Sequence, residues 1–165
     1  IYERNITVLD KQHLIVFKDE FYGLIGWDTK PMTEFEFLEI VPWKENVIWV
    51  KKNFQWILLN FVTKEVILDR IRDFSWVRKS DEENIARVHR ENQYGLISST
   101  KGLLIPPTFH EIINLGTPEM PLYFTEKGVE EADIYIVIYY NQEGKLVRRQ
   151  AYEEDEYDRI YCDSN

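Results

Sequence analysis

Cysteine is nearly absent: the 165 residues contain one, Cys162. A lone thiol forms no internal disulfide and has no second cysteine with which to build a metal site. Long apolar runs are missing as well. "IYIVIYY", Ile134 to Tyr140, is among the longest and has only strand length. Excess positive charge is also lacking. The net charge is −9, which argues against general nucleic-acid binding, because that needs clustered Lys and Arg. The same charge disfavours anionic membranes.

Catalytic motifs are missing too. No P-loop, G-x-G-x-x-G or G-x-S-x-G occurs. His13, His89 and His110 stand apart, without H-x-x-x-H or H-E-x-x-H spacing, and read as surface imidazoles. Cys162 lies among acids, the wrong setting for a nucleophilic thiolate. The acid pairs Glu34/Glu36 and Glu130/Glu131 read as solvated surface in so acidic a chain. The sequence therefore predicts no enzyme, no cofactor and no metal site. No signal-peptide pattern opens the chain, and it begins at Ile1 rather than Met. Such a start agrees with a chain cut from a longer repeat array, which the sequence leaves open together with the compartment.

Aromatic residues, by contrast, are abundant at 15%, with five Trp, ten Tyr and nine Phe. Large aromatics and β-branched residues favour strands. The strands repeat. Tyr22-Gly23-Leu24-Ile25 recurs as Tyr94-Gly95-Leu96-Ile97, with Trp56-Ile57-Leu58-Leu59 between them and Tyr135-Ile136-Val137-Ile138 after. These anchors are 34, 38 and 41 residues apart, the spacing of a repeat architecture. Six residues before each anchor aromatic stands a valine: Val16, Val50, Val88 and Val129. Fifteen and eighteen residues after the first three anchors lie apolar pairs, Phe37 with Ile40, Ile71 with Phe74, and Phe109 with Ile112. In the fourth copy Tyr152 stands near the matching place, offset by two residues.

This pattern resembles the WG repeat of bacterial proteins. "IARVHRENQYGLISSTKGLLIPPTFHEI" fits it well, with Tyr94 in place of the usual Trp, whereas Ile57 and Ile136 replace the glycine in two copies. The resemblance covers most of residues 12–155. It implies a β-rich interaction module without a catalytic centre.

The expected fold is all-β: one domain of tandem degenerate β-meander repeats, approximately 12–45, 46–83, 84–120 and 121–161. An open twisted stack and a small closed propeller or barrel both suit periods of this length. Strands are expected over 13–18, 21–26, 36–41, 46–51, 54–60, 65–75, 84–89, 93–98, 103–105, 109–113, 121–125, 133–140 and 145–152. Residues 80–92 compete as a helix, because Ser80 and Glu83 form a capping box. The repeat register favours a strand there.

Two places are candidates for binding. Trp49, between Ile48 and Val50, points to the opposite face of its strand and is expected to be exposed. Trp43, Trp56 and Trp76 read chiefly as packing. The second place is the acidic end of the chain, where Tyr152 and Tyr157 flank Glu153, Glu154, Asp155 and Glu156. Residues 119–165 carry five Lys+Arg against twelve Asp+Glu, whereas 44–90 carry ten against seven. The tyrosines would supply contact area and the acids would steer a basic protein partner. A polar terminal cap on the array is the competing reading. A glycan or cell-wall binding module, through exposed Trp and Tyr, is the alternative function. An immunity-type inhibitor of a basic toxin is the narrower one. The sequence does not set the oligomeric state.

Overall fold

The computed structural model describes residues 6–162. Fifteen strands form four antiparallel sheets. The first holds β1 (Ile6–Val8), β2 (His13–Lys18) and β3 (Phe21–Gly26). The second holds β4 (Glu39–Lys44), β5 (Val47–Lys52), β6 (Gln55–Asn60) and β7 (Val66–Ile71). In the third, β8 (Asp73–Arg78), β9 (Ile85–Arg90) and β10 (Gln93–Ser98) precede β11 (Gly102–Phe109). The fourth holds β12 (Glu111–Asn114), β13 (Tyr123–Val129), β14 (Ile134–Tyr140) and β15 (Leu146–Glu153). Each is a meander in chain order, and none closes on itself. A short helix, α1 (Glu154–Tyr157), follows and runs into a π-type turn, Asp158–Cys162. No described helix is long and apolar enough to cross a membrane.

The repeat is visible as register. Each anchor aromatic faces the residue that closes its sheet: Tyr22 opposite Phe37, Trp56 opposite Ile71, Tyr94 opposite Phe109, and Tyr135 opposite Tyr152. The aromatic-x-x-apolar motif is thus a corner between sheets. Its first residue ends one sheet and its second enters the next: Ile40 lies in β4, Phe74 in β8 and Ile112 in β12. Val16, Val50 and Val88 occupy equivalent positions and are all buried. In the first three sheets the central hairpin turns on two residues with positive φ, namely Asp19-Glu20, Asn53-Phe54 and Glu91-Asn92. Two positive φ values define the type I′ turn that matches strand twist. In the fourth sheet this link is longer, with a 3-10 turn, Glu130–Ala132, and a left-handed Asp133. That insertion displaces Val129 from the position held by the other three valines. Lys127, not Val129, is paired with the residue after the anchor.

Gly95 has a local reason. A Cβ there would sit 2.6 Å from the Ile105 carbonyl oxygen and 2.7 Å from the Pro107 nitrogen. The β10–β11 ladder shifts register at this point, so bulged backbone lies against the glycine. Gly102 and Gly144 take positive φ in turns.

By contact the chain divides into two compact units, Ile1–Asp73 and Phe74–Asn165. In the first, Ile15 and Leu24 of one sheet pack with Ile48 and Val50 of the next, together with Phe37 and Phe61. In the second, Ile85, Leu96, Ile105 and Phe109 pack with Ile112 and Tyr123. A further cluster, Phe124, Val137, Tyr152 and Tyr157, lies on the other side of the fourth sheet. Residues 80–92 show how the helix signal is overridden. The Glu83 N–H does donate to Ser80 Oγ, as in a capping box. The next residues nevertheless join β9, where Ile85 and Val88 are buried.

Candidate functional site

Trp49 is not exposed. Its relative exposure is 0%. The alternation argument fails because all four residues of 47–50 are buried, so both faces of β5 are covered. Trp43 meets the Trp49 ring edge-on, with centroids 5.9 Å apart. Trp43 and Trp56 are buried as well, and Trp76 is half-buried beneath the Lys79 ammonium. The packing reading therefore holds for Trp43 and Trp56 and extends to Trp49, whereas Trp27 is exposed.

The acidic end of the chain separates into two sides. Tyr152 and Tyr157 are buried, which corrects the expectation that they supply contact area. The reason is that β15 passes into α1, whose inward side closes over the fourth sheet. Tyr157 stacks on Tyr135 at 4.2 Å, and Tyr161 packs against Tyr157, Tyr152 and Phe124. The Tyr161 hydroxyl donates to the Tyr152 hydroxyl at 3.5 Å. Burial, then these hydroxyl contacts, push the Tyr161 phenol well above the usual range. The tyrosines thus pack inward, over the fourth sheet.

Glu153, Glu154, Asp155 and Glu156 lie on the other side, all exposed. The fold brings more acids beside them. The Glu154 N–H donates to the Asp133 carbonyl at 3.1 Å, so the β13–β14 link with Glu130, Glu131 and Asp133 sits next to α1. Asp158 adds an eighth exposed carboxylate. Among the described residues none of the eight takes part in a salt bridge. A cleft of about 180 Å³ lies among them, lined by Glu130, Asp133 and Glu154 with Gly128, Ile134 and Tyr135. Partial burial pushes the Tyr135 phenol up, and the charges of Glu154, Asp158 and Glu126 add to it. No group of three or more His, Cys, Asp or Glu among the described residues could hold a metal.

Sequence reasoning left Glu130 and Glu131 as ordinary surface and did not join them to this end. The signal was available. A register that pairs Tyr135 with Tyr152 also pairs Ile134 with Glu153, and so brings residue 133 to residue 154.

The histidines have structural contacts. His13, expected at the surface, is buried; its Nδ1–H donates to the Asp10 carboxylate at 2.9 Å and its ring meets Phe61 edge-on. His89 stacks on Tyr94 at 4.4 Å. His110 Nδ1 accepts the Gly128 N–H at 3.1 Å.

One charge cluster crosses the start of the fourth sheet. Glu111 and Glu126 face each other across β12 and β13, and Arg87 reaches Glu111 at 2.7 Å. Burial first, then the Glu111 charge, raises the Glu126 pKa. A carboxyl whose pKa is raised on folding loses stability as pH climbs from its unfolded value through its folded one. Glu126→Gln removes that loss. It is expected to stabilise the protein at pH 7 by about 0.2–1 kcal/mol, the size of a cross-strand charge effect. The gain should fade below the ordinary glutamate pKa, where Glu126 is neutral in both states. Urea titrations at pH 7 and in mild acid check this; a gain that persists in acid assigns the effect to something other than charge.

Neither a protein-family model nor a curated protein sequence matches the chain. Among solved structures it is similar to a eukaryotic initiation factor, at 8% identity and a TM-score of 0.43, over 90% of this chain and 44% of that one. It is also similar to a quinonprotein alcohol dehydrogenase-like protein from Bacteroides thetaiotaomicron VPI-5482, at 10% identity and a TM-score of 0.37, over 91% of this chain and 55% of that one. The chain thus spans about half the length of each, and likeness at this level carries no argument about function.

Proposed function

We propose that this chain is a non-catalytic protein-interaction module whose acidic end meets a basic partner protein. One observation carries the reading. Eight exposed carboxylates, with no salt bridge among the described residues, stand on a short helix and a turn held in place by buried tyrosines. Unmatched like charge repels itself and disfavours the compact state, while it speeds encounter with an oppositely charged surface. A rigid base keeps the ordering cost of binding low. The resemblance to WG repeats supports the same class of function. An inhibitor of a basic toxin would use the same surface chemistry. Glycan binding is the weaker reading, because Trp43, Trp49 and Trp56 are buried and leave Trp27, 58% exposed, without a second tryptophan of like exposure to form a platform.

The test begins with proteins retained by the immobilised chain and released by moderate salt. The best-retained one is then measured against Glu153→Gln/Glu154→Gln/Asp155→Asn/Glu156→Gln. Its on-rate is expected to fall roughly 10–100-fold at low salt, with a flatter salt slope, because steering of this kind acts on association. An unchanged on-rate and slope remove α1 from the interface and leave it as a cap.

A further inference from the structure

The last strand of each sheet is an edge, and an open edge invites pairing with another chain. Three of the four are blunted. In the first sheet the closing segment makes only the isolated bridges Tyr22–Phe37 and Ile25–Pro31. In the second, β7 shifts register twice and carries Arg70 at positive φ. In the third, β11 contains Pro106-Pro107 and also shifts register. Proline and bulges are common ways to close an edge.

β15 has neither device along its main run. It pairs with β14 through six consecutive positions, from Ile134–Glu153 to Tyr139–Arg148, with its one irregularity beyond them. It has no proline and no residue at positive φ. Among the described residues no backbone group of 146–152 bonds outside the sheet, whereas Glu153 is the N-cap of α1 and its carbonyl accepts the first helical hydrogen bond. Leu146 and Val147 are more than half exposed on β15. Its charges are also divided: Arg148 and Arg149 stand toward one end, and Glu153 closes the other.

We infer that β15 is a self-complementary edge that pairs antiparallel with β15 of a second copy of this chain. Two antiparallel edges that continue one sheet are related by a two-fold axis normal to it, so paired residues share a face. Arg149 and Glu153 lie four residues apart and therefore share a face. With the axis at Ala151, Arg149 falls opposite Glu153 of the second copy. The symmetry repeats the attraction, so two oppositely charged pairs form. Parallel pairing in register would place arginine beside arginine and is disfavoured. An overlap of five residues is a small interface, so the dimer is weak and depends on concentration. This goes beyond the partner surface and does not rest on it, because most of the eight carboxylates stay outside the pairing.

The test uses the full chain in sedimentation velocity from about 1 µM to about 300 µM, the range in which a small interface dissociates. The chain is expected to dimerise, less so as salt rises. Arg149→Glu sets glutamate opposite glutamate, and Glu153→Arg sets arginine opposite arginine. Each variant alone should dimerise at least about tenfold more weakly, since opposed like charges are repulsive. An equimolar mixture of the two should dimerise again, because both contacts become attractive in the mixed pair. Circular dichroism checks that each variant folds. A chain that stays monomeric over the whole range overturns the inference. A dimer that neither variant weakens overturns it as well. Arg149→Glu leaves every carboxylate of α1 in place, so partner capture by that variant reports on the proposed function alone.

Discussion

Phe109→Ala is expected to lose about 3–5 kcal/mol of unfolding free energy, the cost of emptying a large aromatic site in a packed core. Phe109 is 7% exposed and belongs to the cluster built from Ile85, Leu96, Ile105, Ile112 and Tyr123. It closes the third sheet opposite Tyr94, and it meets Tyr140 of the fourth sheet edge-on at 6.0 Å. Removing the ring therefore loosens one sheet and uncouples it from the next. Ile71 and Phe37 hold the same corner in the other two copies. Their truncation to alanine should cost a comparable ~2–5 kcal/mol for such buried side chains. Urea denaturation of the three variants measures this. Losses under about 1 kcal/mol at all three corners, the scale of an ordinary surface change, would mean that the repeated corner does not bear the packing assigned to it.

Those corners were legible because they repeat. A single aromatic-x-x-apolar stretch says little, but three in register with their anchors fix which strands pair. Expected strands 13–18, 21–26 and 93–98 coincide with β2, β3 and β10. The single strand expected over 65–75 is instead two, β7 and β8, because the corner at Ile71 to Phe74 turns the chain into a new sheet. The turns were less legible. Type I′ hairpins are usually announced by Asn-Gly or Asp-Gly, whereas here Asp19-Glu20, Asn53-Phe54 and Glu91-Asn92 adopt the same positive φ without any glycine. Each pair contains an Asp or Asn, which tolerates positive φ, and the ladders on either side impose it on the other residue. Trp49 misled for a related reason. Alternation predicts one buried face only for a strand covered on one side, and β5 is covered on both.

The candidate site was legible as charge and illegible as shape. The excess of acid near the end of the chain is plain in the sequence. Its division into a buried tyrosine side and an exposed carboxylate side is not, since helix α1 spans only residues 154–157. Four residues are too few to establish a helical period. The strand ladder, rather than helix propensity, delivers α1 to its place: Tyr152 is fixed opposite Tyr135, and the chain then turns so that Tyr157 reaches the same ring.

Tyr157→Ala should accordingly remove the cap. Tyr157 is 7% exposed, stacks on Tyr135 and packs against Tyr161. Deleting it is expected to cost about 3–5 kcal/mol by analogy with other buried aromatic truncations. The loss should have a recognisable form. Phe124 and Val137, now covered by the tyrosine cluster, would gain access to solvent, so binding of an apolar dye should rise before global unfolding. Tyr157→Phe keeps the ring, and no hydrogen bond of the Tyr157 hydroxyl exists among the described residues. That variant should therefore stay within about 1 kcal/mol of the parent, as expected for a change that preserves packing. Thermal unfolding followed in the near and far ultraviolet distinguishes the two substitutions. If Tyr157→Ala left both stability and dye binding unchanged, α1 would not be holding the fourth sheet closed, and its exposed acids would lose the rigid base from which they are proposed to act.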